Sequence, residues 1–187
     1  MRKVIETRET IEIGKCIYCG TTEGKLTDEH ITPFGLSGRL ELLDASCRRC
    51  ADITGNIENI VLGSMKAARA ELKTKTRTKR SRKMSQPMLV EKNDRRFIIQ
   101  VPLKDQWKVI RLPIFPLPAA IDNRPYESGI ESTSFDQFEL SEKAEDIAKK
   151  HGVDRVVFRE YPSEIFARFI AKMAYGYAVG EYLLPSS

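Results

Sequence analysis

Two C-x-x-C pairs constrain this chain more than any other feature. Cys16 and Cys19 lie in KCIYCG, Cys47 and Cys50 in SCRRCA, and they are all the cysteines the sequence has. The N-terminal stretch MRKVIETRETIEIG lacks the apolar core of a signal peptide, so the cytosol is the expected compartment. Thiols stay reduced there, and two such knuckles suit tetrahedral Zn²⁺ rather than disulfides. Four thiolates close the coordination sphere, so this metal holds structure and cannot activate water. With every cysteine a ligand, none is left as a nucleophile or redox dithiol. A segment of about 50 residues buries little core, and a structural metal is what it needs to fold.

The 187 residues are 41% hydrophobic and 30% charged, as expected of a folded chain rather than a disordered one. No uncharged apolar stretch reaches about 18 residues, so no membrane partner is expected. Charge is unevenly distributed. From Lys66 to Lys83 the chain reads KAARAELKTKTRTKRSRK, nine Lys or Arg against the single Glu71. That segment carries +8, which leaves −3 on the remainder of a chain whose total is +5. One localised basic stripe is the footprint of a polyanion, most simply nucleic acid. Arg69, Lys73, Arg77, Lys79, Arg80, Arg82 and Lys83 are the candidate phosphate contacts.

Hydrophobic periodicity predicts a short strand over 10–14 and a second over 26–32, ending at Pro33. A helix is expected from Ala51 to Lys73, and a solvated linker from Thr74 to Pro87. RRFIIQV (95–101) and WKVIRLPIF (107–115) read as the two arms of a hairpin. A helix from Asp136 to His151 is expected to end on Gly152, followed by a strand at 153–161. The last helix has Ser163 as N-cap and an apolar stripe of Ile165, Phe166, Phe169, Ile170, Met173 and Tyr177. That stripe is expected to be core, or the docking face for a homo-oligomer or a protein partner.

Between the knuckles lies LTDEHITPFG, in which Asp28 and Glu29 precede His30. Phosphodiester hydrolysis needs a base for water and a cation for the leaving oxygen. A neutral imidazole suits the first role. Carboxylates and a carboxamide suit Mg²⁺, a hard ion that prefers oxygen.

Residues 16–58, CIYCG…TDEHITPFGLSG…ASCRRCADITGNIE, resemble the HNH endonucleases of the ββα-metal fold, in their four-cysteine zinc-knuckle subgroup. The resemblance covers about a quarter of the chain. It implies a zinc-stapled ββα-metal module over 10–65; charge and periodicity beyond it give a basic helix end and linker over 66–86, in a chain that is α+β as a whole. A small α+β C-terminal domain over 87–187 would follow. The resemblance also implies a DNA endonuclease with His30 as general base and Glu29 as ligand of a catalytic Mg²⁺ or Mn²⁺. Where many members place Asn or His after the last cysteine, this chain has Ala51. Helical spacing makes Glu58 the favoured substitute ligand, with Asn56 in reserve. Ala51 is the best argument for the second expectation, a catalytically inert zinc module that binds nucleic acid. A protein–protein adaptor is the third.

Overall fold

Strand β3 (Glu41–Cys47) organises the N-terminal half. It buries Leu42 and Ala45 on either side of Asp44, whose φ of 47° breaks the simple alternation, and it is the middle strand of a three-stranded sheet ordered β1–β3–β2. β1 (Thr10–Glu12) pairs parallel to it and β2 (Leu26–His30) antiparallel. The structure, a computed structural model, describes residues 10–74, 85–123, 125, 130–158 and 162–183. The remaining elements are α1 (Arg48–Ser64), α2 (Lys66–Glu71), β4 (Ser85–Lys92), β5 (Arg95–Pro102), β6 (Val109–Ile114), α3 (Ala119–Asp122), β7 (Ser134–Glu139), α4 (Ala144–His151), β8 (Arg155–Val157) and α5 (Ser163–Leu183). This is a mixed α+β chain, as expected.

Two compact units divide it. The first takes in the described residues up to Ile60 and α5 from Ala167 onward; the second is Val61–Phe166. In the first, Ile11, Ile17, Ile31, Leu42 and Ala45 form a small core, with Val179 of α5 packed against it. Gly176 and Gly180 allow that approach, since a Cβ on either would lie 3.3 Å from Ile31 side-chain carbons. The buried line of α5 in this unit runs Phe169, Lys172, Gly176 and Gly180, while Ile170 and Tyr177 are exposed. The predicted apolar stripe is therefore rotated: helix periodicity is right, but the inward residue at one position is a lysine.

In the second unit a sheet ordered β5–β4–β8 packs Met88, Val90, Val101 and Val156 against Ile147 and Ala148 of α4. β6 and β7 form a separate two-stranded ribbon. The expected hairpin between 95–101 and 107–115 is thus replaced by two others. β5 pairs with β4 across Asn93–Asp94, whose φ values of 50° and 57° suit a two-residue turn with both centres left-handed. β6 pairs with β7 along its whole length. That pairing also claims Ser134–Glu139, so the helix expected from Asp136 starts only at Ala144. Its C-terminus is as expected, with Gly152 at φ 64°. The single helix expected over 51–73 begins earlier, at Arg48, and divides at Met65. Gly63 weakens it there, and the Ser64 hydroxyl donates back to the Val61 carbonyl at 2.7 Å.

Candidate metal centre

The first knuckle is a tight turn. The Gly20 amide donates to the Cys16 carbonyl and the Cys16 amide to that of Thr21, both at 2.8 Å. The Ile17 amide donates to Ala45 at 2.8 Å, which fastens this turn to β3. The second knuckle spans the end of β3, at Cys47, and the first turn of α1, at Cys50. Leu26 pairs with Cys47 and brings β2 alongside. The four Sγ atoms then lie within 4.8 Å of one another, and none is in a disulfide.

Zinc fits this donor set. Tetrahedral coordination with Zn–S near 2.3 Å places neighbouring sulfurs about 3.8 Å apart, and Cys19 Sγ to Cys47 Sγ is 3.7 Å. The thiols differ in acidity. At Cys16 burial opposes ionisation, but the amides of Cys47, Cys19 and Tyr18 outweigh it and lower the pKa to about 6. Burial and then the neighbouring sulfurs push Cys50 up to about 12. A divalent cation relieves that mutual repulsion. The thiolates exceed the charge of one Zn²⁺, and Lys15, Lys25, Arg48 and Arg49 lie exposed beside the knuckles with the compensating sign. Arg48 also forks onto Asp52, Nε lying 3.0 and 3.1 Å from its two oxygens.

The carboxylates expected to hold a second, catalytic ion already hold a cation of the protein's own. Lys172 of α5 is 4% exposed at its side chain, and its Nζ lies 2.6 Å from Glu29 and 2.8 Å from Glu58. It also donates to the carbonyl of His30 and, at 3.3 Å, to that of Ile31. Burial and the Glu29 carboxylate push the Tyr18 phenol up, so it stays protonated beside this cluster. Tyr175 Oη donates to the Ile17 carbonyl at 2.7 Å, and Tyr177 Oη shares a hydrogen bond with Thr32 Oγ1 at 3.1 Å. Three side chains of α5 thus hold the turn and strand end between them.

The sequence-predicted residues fall out as follows. The register shifts between Thr27 and Glu29, two steps of β2 spanning four of β3 around Asp44 at φ 47°; Glu29 is buried there and Asp28 exposed, its carboxylate accepting the Asp44 amide at 3.2 Å. Glu58 lies on the inner side of α1, whereas Asn56 is exposed on it. His30 pairs in register with Glu41, and its Nε2 is 3.0 Å from the Glu41 carboxylate. Among the described residues, the four cysteines are the only group of three or more His, Cys, Asp or Glu whose ligand atoms converge.

These findings correct the nuclease reading. The converging donors form a closed thiolate site suited to structural zinc. Glu29 and Glu58 pair with Lys172, and His30 Nε2 lies against the Glu41 carboxylate, instead of forming a metal-activated water site; neither the phosphodiester hydrolase nor its Mg²⁺ or Mn²⁺ centre stands. Sequence reasoning missed Lys172 and Glu41. The available signal was a lysine three residues after Phe169 on an otherwise apolar face.

Of the basic candidates, Arg69 is half-buried, its guanidinium depressed by desolvation and donating to the Leu62 carbonyl at 3.2 Å. Lys73 is exposed just beyond α2. Arg77, Lys79, Arg80, Arg82 and Lys83 lie outside the described residues. No described helix is long and apolar enough to cross a membrane. Searches of protein-family models, curated proteins and solved structures give no match, so the likeness to HNH endonucleases rests on motif spacing alone.

Proposed function

We propose that this chain is a non-catalytic zinc module that binds nucleic acid through the phosphate backbone. The observation that carries the first half is the closed four-thiolate cluster, beside which an ammonium group takes the place of an exchangeable metal. The second half rests on the +8 carried by residues 66–83. The motif likeness to HNH modules then reflects a shared scaffold, the order β2, β3, α1 stapled by zinc, without an open metal position.

Fluorescence anisotropy on labelled duplex and single strands across a salt series tests this. The expected result is binding with little sequence preference whose log K falls with log salt by about 0.9 per phosphate contacted on duplex. Alanine at Arg77, Lys79, Arg80, Arg82 or Lys83 lowers that slope by about 1 each, while His30→Ala leaves it unchanged. Absence of binding at low salt defeats the reading. So does plasmid cleavage with Mn²⁺ that His30→Ala abolishes.

A further inference from the structure

β5 leaves one edge of the second unit's main sheet open. It lies first in the order β5–β4–β8, so among the described strands only β4 pairs with it. Lys92 and Arg95 flank the two-residue turn, and such flanking residues form a hydrogen-bonded pair. The ladder alternates from there, which turns the N–H and C=O groups of Arg96, Ile98 and Gln100 away from β4. Both prolines agree, because Pro87 pairs with Gln100 and Pro102 with Ser85, at positions that need no N–H toward the partner. On the far side of β4 the Asp154 amide donates to the Glu91 carbonyl at 2.9 Å, as the same alternation requires.

This edge is also apolar. Phe97 is 41% and Ile98 57% exposed, one on each face of the sheet. Long edge strands are ordinarily shielded by charge, a bulge or a covering element. Here Arg95 and Arg96 occupy one end only, and the strand runs eight residues without a register shift.

We propose that β5 pairs antiparallel with β5 of a second copy, about a two-fold axis through Ile98. The register follows from the outward groups. Ile98 faces its own copy, and Arg96 faces Gln100 on both sides of the axis, so the open N–H and C=O groups satisfy one another. Phe97 comes opposite Ile99, and Arg95 opposite Val101. Like charges are kept apart, since each arginine meets a neutral residue rather than its copy. The product is a continuous sheet ordered β8–β4–β5–β5–β4–β8.

Sedimentation equilibrium on the full chain over a dilution series reads the outcome. The expected species is a dimer, twice the 21.3 kDa of one chain. Ile98→Lys and Ile98→Asp each place like charges face to face and should each give monomers. Because the site is exposed, both variants should keep their circular dichroism spectrum and bound zinc. Mixed together they should restore a dimer, because only pairing across Ile98 brings lysine opposite aspartate. A wild type that stays monomeric throughout overturns the proposal, as do species larger than a dimer. Variants that still dimerise alone, or a mixture that stays monomeric, overturn it too. None of these outcomes depends on whether nucleic acid binds.

Discussion

Lys172 is the residue whose position explains most about the N-terminal unit. An ammonium at 4% exposure is tolerable because two carboxylates and two carbonyls surround it. Removing it strands Glu29, whose side chain is 7% exposed, and Glu58, which retains 23%. Breaking a buried pair from one side costs about 3–5 kcal/mol. Lys172→Met is therefore expected to destabilise the chain by about that amount, the access of water to Glu58 favouring the lower end. Urea unfolding with zinc retained measures it. Combining Lys172→Met with Glu29→Gln and Glu58→Gln removes the stranded charges and should recover most of the loss. A single variant as stable as the wild type would show that the cluster contributes nothing to folding.

At the scale of elements, the outer face of the β5–β4–β8 sheet carries a cross-strand triad. Glu91 of β4 pairs in register with Arg96 of β5 and Arg155 of β8, its oxygens 2.9 and 2.5 Å from their nitrogens. Hydrogen bonds from Arg96, then from Arg155, hold the Glu91 carboxyl below its ordinary range. A folded pKa below the unfolded one means that the triad stabilises fully above the unfolded value. Its contribution is then lost as pH falls through the depressed folded value. Glu91→Gln should accordingly lower stability at neutral pH and flatten the acid limb of the stability profile, as thermal melts across that range would show. Parallel limbs in variant and wild type would remove the triad from the account. This sheet also shows where sequence reading stops. The strand at 95–101 was legible from its β-branched and aromatic run, but its partner was not. Two left-handed residues, Asn93 and Asp94, chose β4, although the chain next offers an equally apolar strand at 107–115. Knuckles and helix ends, being local, were legible: Cys16, Cys19, Cys47 and Cys50 converge, and Gly152 terminates α4. What was illegible at the site was the return of α5, because nothing local to Glu29 or Glu58 announces a lysine more than a hundred residues away.

For the whole molecule, the two units differ in what holds them. Met88, Val90, Val101, Ile147, Ala148 and Val156 give the second an apolar core of its own. The first has a smaller cluster among its described residues, Ile11, Ile17, Ile31, Leu42 and Ala45 with Val179 packed against it, and Ala45 adds little area. Burial on that scale does not offset the backbone entropy of ordering two turns and three short strands. Structural zinc sites supply about 10–16 kcal/mol of apparent binding energy at neutral pH, and this becomes folding energy where the apo ligands are not preorganised. One zinc per chain is the expected stoichiometry by mass spectrometry of the intact protein. Chelation should then collapse the first unit selectively. In hydrogen exchange, the amides of Ile17, Ile31 and Leu42 should lose protection on chelation, while those of Val90, Val101 and Ile147 keep theirs. Acidification should release the metal for the same reason, because protons compete for thiolates that zinc requires deprotonated. Loss of protection in both units together would mean that the second core depends on the metal as well. Unchanged protection in the first would mean that the Lys172 cluster and the small core suffice without it.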